Sequence, residues 1–154
     1  MNIESIIQNS KPLSPYARAV INVMYTSRHI EELSANTFKA FDLTAQQFNV
    51  LRILRGQKGV PAQLGTIQQR MIDKNSNTSR LIDKLISKNW VTRQTCHQNR
   101  RKIEIFITGQ GLALLEQLDP LVEQTNTQLL QGLTLKEIEQ INQLLDKLRT
   151  KNSV

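Results

Sequence analysis

One pair of alternating, β-branched segments interrupts a sequence whose apolar residues otherwise recur at helical spacing. Segments 90–95 and 102–107 alternate apolar and polar side chains, as half-buried strands do, and the loop 96–101 joins them. Before and after this pair, apolar residues recur every three or four positions, as on one face of a helix. The sequence therefore predicts a mainly α fold with a small β-hairpin, in the α+β class.

Capping signals divide the helical part into six segments. Ser14-Pro15 predicts the start of a long first helix, because Ser is a good N-cap and Pro fits the first helical position. Capping boxes at Thr44-x-x-Gln47 and Thr134-x-x-Glu137 predict the second and last helices. Pro120 is expected to bend the fifth helix, because it removes one helical hydrogen bond. The predicted helices are segments 15–40, 45–54, 64–71 and 76–88, one that begins near 108–111, and one that begins after 134.

The positive charge of the chain is concentrated in one segment. The formal net charge is +7, and segment 70–102 carries that whole excess, with nine Lys and Arg against Asp73 and Asp83. A field of this kind is typical of a protein that binds a polyanion. One alternative is a solvated basic face without a partner. Another is an anionic membrane surface, which needs outward apolar anchors, whereas the apolar residues here are expected to face a core.

Length and residue usage exclude several other classes. A chain of 154 residues suits a single domain, 1–154. No apolar run approaches the roughly 20 residues of a membrane span, and no secretory signal is visible, so we expect a cytoplasmic protein without a membrane partner. The lone Cys96 fits a reducing compartment. His29 and His97 match no metal spacing, so no cofactor is expected. No catalytic motif appears, so no enzyme activity is expected.

Segment 76–88 has two chemically different faces. At 100° per residue, its apolar face toward the core comprises Thr78, Leu81, Ile82 and Leu85. The opposite face and its flanks carry short polar or basic groups that suit base edges and phosphates, namely Ser76, Asn77, Ser79, Arg80 and Lys84. Solvent exposure alone also explains such residues, and it is the preferred interpretation for Asp83 or Lys84 taken singly.

The order of these segments resembles the MarR family of bacterial transcription regulators. The resemblance covers about residues 43–118, and it depends on four motifs in register: NSNTSRLIDKL at 75–85, KNWV at 88–91, NRR at 99–101 and ITGQG at 107–111. It implies a winged helix-turn-helix lobe at 43–108, flanked by dimerisation helices at 14–41 and 110–150. It also implies a recognition helix in the major groove, reading through Ser76, Asn77, Ser79 and Arg80.

The hairpin corresponds to the wing of that family. Its candidate DNA-binding residues are Arg93, Arg100, Arg101 and Lys102, and the resemblance implies that Arg101 enters the minor groove. The family usually has Asp two residues before the wing arginine, where this chain has Asn99. An amide cannot form the charge-assisted bond of a carboxylate. We therefore expect either a looser wing, or that Arg100 and Arg101 are held in place by contacts with DNA phosphates alone.

The resemblance implies a homodimer that binds a pseudo-palindromic operator in double-stranded DNA, and we expect a repressor that responds to an effector. Similar regulators bind small phenolic compounds, so Tyr16 and Tyr25 are candidates for a pocket that takes a small aromatic effector, although dimer packing is the commoner use. Others sense oxidants through a cysteine in the first helix; this chain has Cys96 at the wing instead, expected to be incidental. A sequence-tolerant nucleoid- or RNA-associated protein is the alternative, and an enzyme is a third class.

Overall fold

The computed structural model describes residues 2–151 and confirms the predicted fold class: helices surround one antiparallel two-stranded hairpin. The elements in chain order are α1 (Ile3–Ile6), α2 (Pro15–Lys39), α3 (Ala45–Arg55), α4 (Leu64–Arg70), α5 (Thr78–Ser87), β1 (Val91–Thr95), β2 (Ile103–Ile107), α6 (Gly109–Leu130) and α7 (Leu135–Lys151). The sequence pattern did not predict α1, because a four-residue helix is too short to show a period.

The helices begin where the capping signals predicted. The side chain of Ser14 accepts a hydrogen bond from the backbone N–H of Ala17 at the start of α2. Thr44 and Gln47 form the reciprocal capping box of α3. α6 continues through Pro120 to Leu130, so the missing hydrogen bond does not end the helix, and the expected bend stays a prediction.

The hydrophobic core lies between α3, α5, the hairpin and the first half of α6. Its fully buried side chains include Leu51, Ile67, Leu85, Val91 and Leu115. Each such side chain contributes roughly 1.5–3 kcal/mol relative to exposure. The core therefore fixes α5 and the hairpin against the same scaffold, which determines how their outer surfaces lie relative to each other.

The two long terminal helices leave apolar side chains uncovered. Exposed large apolar residues of α2 are Val20, Val23, Met24 and Ile30, and those of α7 are Leu135, Ile141, Leu144 and Leu148. α7 contributes no side chain to the buried core of the described residues. Neither helix, nor any other within residues 2–151, is long and apolar enough to cross a membrane.

Candidate nucleic-acid interface

Helices α4 and α5 and the turn between them form a helix-turn-helix whose geometry depends on side-chain hydrogen bonds. The amide of Gln68 in α4 donates to the carbonyl oxygen of Lys74 in the turn at 2.8 Å, and its Oε1 accepts from the hydroxyl of Thr78. The backbone N–H of Ile72 donates to the side-chain oxygen of Asn49 in α3 at 2.8 Å. The turn is thereby attached both to α4 and to the core helix α3.

The start of α5 differs from the prediction. Asn77 is the N-cap, and its Oδ1 accepts from the backbone N–H of Arg80 at 3.1 Å. Asn is among the strongest N-caps, so the helix begins at Thr78 and not at Ser76. The prediction that Ser76 lies on the exposed helix face is wrong: Ser76 precedes the helix, and its hydroxyl oxygen is buried without a hydrogen-bond partner in the described structure.

The rest of α5 presents the predicted faces. Thr78, Ile82 and Leu85 are buried, whereas Ser79, Arg80 and Lys84 are exposed. Neither Arg80 nor Lys84 makes a direct ion pair with another residue in the part of the chain described here. The side chains of Ser79, Arg80 and Lys84 therefore offer one hydroxyl and two cations on the outer face of α5, next to the exposed carboxylate of Asp83.

Asn99 forms hydrogen bonds to the backbone at the tip of the wing. Its Oδ1 accepts from the N–H of Arg101 at 3.0 Å, and its carbonyl oxygen accepts from the N–H of Lys102 at 2.8 Å. The N–H of Cys96 donates to the carbonyl oxygen of Lys102 at 2.9 Å. The amide of Asn99 thus bonds to the tip backbone, and the expected looser wing stays a prediction. The side chains of Arg100, Arg101 and Lys102 are exposed, without ion pairs to residues 2–151.

The base of the hairpin is anchored to the core. β1 and β2 pair from Val91 opposite Ile107 to Thr95 opposite Ile103. Ala62, just before α4, exchanges two backbone hydrogen bonds with Ile105, at 3.0 and 2.9 Å. This isolated β-bridge connects the wing to the segment before α4, so the wing and the helix-turn-helix cannot move independently without breaking these bonds.

Two basic side chains of segment 70–102 are paired within the protein. Nη1 of Arg93 in β1 lies 2.6 Å from Oδ1 of Asp83 in α5. Nζ of Lys88 lies 2.6 Å from Oδ2 of Asp42 and 5.0 Å from the ring centroid of Trp90. The hydrogen bond from Lys88 lowers the pKa of Asp42. Sequence reasoning missed both pairs, since the partners lie on different elements and no spacing rule relates them.

Two concave surfaces border α5. A cleft of about 360 Å³ lies between α5 and the wing, and its polar lining includes Ser79, Arg93, Arg101 and Lys102. A groove of about 1300 Å³ also borders α5, and its lining includes Glu31 and Glu32 of α2 and Arg80 and Lys84 of α5. Neither Tyr16 nor Tyr25 lines either surface; both are exposed on α2, and their role stays a prediction.

Comparisons with known proteins agree with this architecture. Residues 43–103 match the MarR family. A MarR transcription factor from Planctomyces limnophilus is 29% identical, with a TM-score of 0.69 over 88% of this chain and 98% of that chain. Wild-type MarR from E. coli, in its apo form, is 25% identical, with a TM-score of 0.70 over 90% of this chain and 98% of that chain.

A third similar structure is that of BpsR from Bordetella bronchiseptica, whose DNA binding is regulated by 6-hydroxynicotinic acid. It is 25% identical to this chain, with a TM-score of 0.78 over 90% of this chain and 98% of that one. The matched segment contains the whole helix-turn-helix and the wing tip, and the structural matches cover 88–90% of this chain. Over residues 43–103 the chain is similar to the MarR family.

Proposed function

We propose that the protein is a sequence-specific DNA-binding transcription regulator that acts as a homodimer on a pseudo-palindromic operator. The observation that carries this proposal is the cleft in which Ser79 of α5 meets Arg101 and Lys102 of the wing. Two elements that the same core holds in place thereby present donors and cations on one side of the molecule. Such a surface suits a duplex, whose bases and phosphates lie within one protein footprint.

In this proposal α5 enters the major groove and the wing follows the adjacent backbone. Arg80 is exposed on α5, where a guanidinium is able to contact a guanine edge or a phosphate. Arg101, whose backbone is held by Asn99, enters the minor groove, where the negative potential of narrow A·T-rich DNA attracts a guanidinium. Arg100, Lys102 and Lys84 neutralise phosphates and so contribute affinity that depends on salt.

The exposed apolar faces of α2 and α7 support the dimer. Apolar side chains along both helices, such as Val20 and Leu144, are more than half exposed in one protomer. A two-fold mate would cover them with the same residues of its own helices. We assign residues 14–41 and 110–150 to this contact and 43–108 to DNA binding. The two copies of α5 would then lie roughly 34–36 Å apart, one turn of DNA.

The proposal gives the chain a binding role and no reaction. Within the described residues, no group of three or more His, Cys, Asp or Glu side chains is placed to hold a metal ion. Regulation of transcription requires access to the chromosome, so the proposal implies a cytoplasmic protein. We also infer repression, by a dimer whose operator overlaps the site where the polymerase binds.

An aromatic carboxylate is the effector class to test first. A relative that is 25% identical responds to 6-hydroxynicotinic acid. In this chain, Arg80 and Lys84 form a cationic wall of the groove beside α5, where an aromatic acid would compete with DNA for the same cations. The test is release of bound DNA by 6-hydroxynicotinic acid and by salicylate, with benzyl alcohol as the uncharged control.

Selection of bound genomic fragments tests the proposed function directly. The purified full chain is mixed with sheared DNA from its source organism, and the retained fragments are sequenced. We expect enrichment of a two-fold symmetric site that binds about 10³-fold or more tightly than random duplex. Equal retention of all fragments would instead support the sequence-tolerant nucleoid- or RNA-associated alternative.

A second experiment asks whether the wing makes the contact. Arg101→Ala should weaken binding to all duplexes and reduce the salt slope by about one, as loss of one cationic contact does. Lys147→Ala is the matched control, because Lys147 is an exposed cation on α7, outside segment 70–102. If the two variants bind equally weakly, the wing assignment fails.

A further inference from the structure

An ion pair joins the two elements that the proposed function places on DNA. Oδ1 of Asp83 on α5 lies 2.6 Å from Nη1 of Arg93 on β1. Both side chains are 56% exposed, so the pair lies at the surface. It joins the outer face of α5 to the middle of β1, and Arg93 lines the cleft together with Ser79, Arg101 and Lys102.

Considered without its partner Arg93, Asp83 is in an unfavourable position for DNA binding. A carboxylate on the outer face of α5 repels the phosphates that Arg80 and Lys84 attract. Segment 70–102 has one other acid, Asp73, whose Oδ1 accepts from the backbone N–H of Asn75 within the turn. Exposed ion pairs add little to folding stability. The contact that Asp83 does make, with Arg93, is therefore the feature that needs a functional explanation.

The pair also determines what Arg93 is able to contact. A guanidinium hydrogen-bonded to a carboxylate at 2.6 Å has its charge compensated locally and is directed toward α5. It is then a poorer phosphate ligand than Arg100 or Arg101, which have no ion pair within residues 2–151. The sequence analysis placed all three arginines among the candidate DNA-binding residues of the wing, and the structure separates Arg93 from the others.

We propose that Asp83 is a positioning residue that directs Arg93 away from phosphate and sets the wing relative to α5, so that operator DNA is selected over random duplex. This inference rests on the proposed function. With the pair intact, Arg101 meets the minor groove only when the bases under Ser79 and Arg80 are in register. Without it, Arg93 is free to bind any phosphate, and the angle between the wing and α5 is less restricted.

The experiment compares Asp83→Asn with wild-type full chain by fluorescence anisotropy, on the selected operator and on a random duplex, across a range of salt. For the variant we expect tighter binding to random duplex, with a salt slope steeper by about one, because Arg93 gains a phosphate contact. The ratio of operator affinity to random affinity should fall about tenfold. Asp83→Glu, which keeps the carboxylate, should retain most of the wild-type ratio.

Asp73→Asn is the matched control for charge. It removes one negative charge from the same segment and keeps a side-chain acceptor for Asn75, but it breaks no ion pair within the described residues. We expect an unchanged ratio for this variant. If Asp73→Asn and Asp83→Asn lower the ratio equally, net charge explains the effect and the positioning role is wrong.

Arg93→Met separates positioning from direct contact. The proposal expects a lower operator-to-random ratio with an unchanged salt slope on random duplex, since Arg93 makes no phosphate contact in the wild type. A slope that flattens by about one, with the ratio intact, would overturn the proposal. If the wild-type protein itself prefers no DNA site, the proposed function fails together with this inference. If the wild type prefers a site but the Asp83 and Arg93 variants do not change the operator-to-random ratio as expected, this inference alone fails. Thermal melting confirms that each variant is folded.

Discussion

The carbonyl oxygen of Trp90 lies so close to the α-carbon of Gly111 that no Cβ atom fits between them. A Cβ at this position would also lie 2.8 Å from Cγ1 of Ile107. The same carbonyl accepts from the N–H of Thr108 at 3.0 Å, and Thr108 in turn caps α6. The close approach attaches the start of α6 to the base of the wing, and it explains why the ITGQG motif ends in glycine.

Replacing Gly111 by Ala should therefore destabilise the protein. The added methyl group would clash with backbone atoms, so the base of the wing and α6 would have to move apart. Overpacking of this kind lowers the free energy of unfolding by about 1–3 kcal/mol. The measurement is urea unfolding at neutral pH. Gly109→Ala is the control, because a Cβ there has no neighbour within 4 Å among the described residues, and it should change stability by less than about 0.5 kcal/mol. Equal effects at both positions would contradict the packing argument.

Ionisation of Asp119 should make the folding stability depend on pH in the acid range. Arg55 in α3 donates to both carboxylate oxygens of Asp119 in α6, at 2.6 and 3.1 Å, and these hydrogen bonds lower the pKa of Asp119. A carboxyl group whose pKa is lower in the folded state stabilises the fold at pH values above its unfolded pKa, about 3.9. This contribution to the free energy of unfolding is lost as the pH falls through the folded pKa.

The corresponding variant is Asp119→Asn. At pH 7 it should cost about 1 kcal/mol or less, because the pair is 33% and 46% exposed and screened by water. Below the folded pKa of Asp119 the variant and wild type should be equally stable. Asp42 also has a lowered pKa, but it is present in both proteins and cancels in the difference. A difference in unfolding free energy that stays constant from pH 7 to about pH 2 would exclude the linkage.

A charge on the exposed face of α7 should produce monomers. Leu144 is 58% exposed in one protomer, and the proposed dimer buries it. Leu144→Glu would place an unpaired carboxylate in an apolar contact, so sedimentation at micromolar concentration should show a lower mass than wild type. Val60→Glu is the control, because Val60 is similarly exposed, at 62%, in a loop of the DNA-binding lobe. A wild-type monomer at this concentration would refute the dimer itself.

Ser79 and Asn77 should behave differently, although both precede Arg80 closely. Ser79→Ala is expected to cost roughly 1–3 kcal/mol on the operator and much less on random DNA, with an unchanged salt slope, if its hydroxyl contacts a base. Asn77→Ala should also lower folding stability by about 0.5–2 kcal/mol, because it removes the N-cap of α5. Anisotropy and urea unfolding of both variants separate the two effects. A large stability loss in Ser79→Ala would contradict its exposed position.

Cys96 should be dispensable for DNA binding. It is half-buried at the wing, where its backbone N–H bonds to Lys102, and serine would preserve that bond. Cys96→Ser is expected to keep the operator affinity and any response to peroxide. A complex that dissociates with peroxide only when the thiol is present would show that Cys96 is a redox switch, because oxidation would add negative charge among the wing arginines.

Local patterns in the sequence predicted most of the fold. The capping side chains at Ser14 and Thr44 act within a few residues of themselves, so their effect is readable without knowing the rest of the chain. Burial of Thr78, Ile82 and Leu85 follows from the 3.6-residue period of one helix. The two strands follow from alternation in the same way. These features depend on residues that lie near one another in the sequence.

Tertiary structure decided which polar groups are paired and which are available. Arg93 and Arg101 are both wing arginines by sequence, yet within residues 2–151 only Arg93 of the two has a carboxylate at 2.6 Å, because packing of α5 on β1 places Asp83 there. Asn99 bonds to the loop backbone because the tip folds back on itself. Asn77 caps α5, so Ser76 lies in the turn before the helix, where its hydroxyl is buried. An ion pair or hydrogen bond forms only when its two groups lie within a few ångströms of each other. When the groups lie on separate elements, that distance is set by how the elements pack in the core, and the number of residues between them does not predict it.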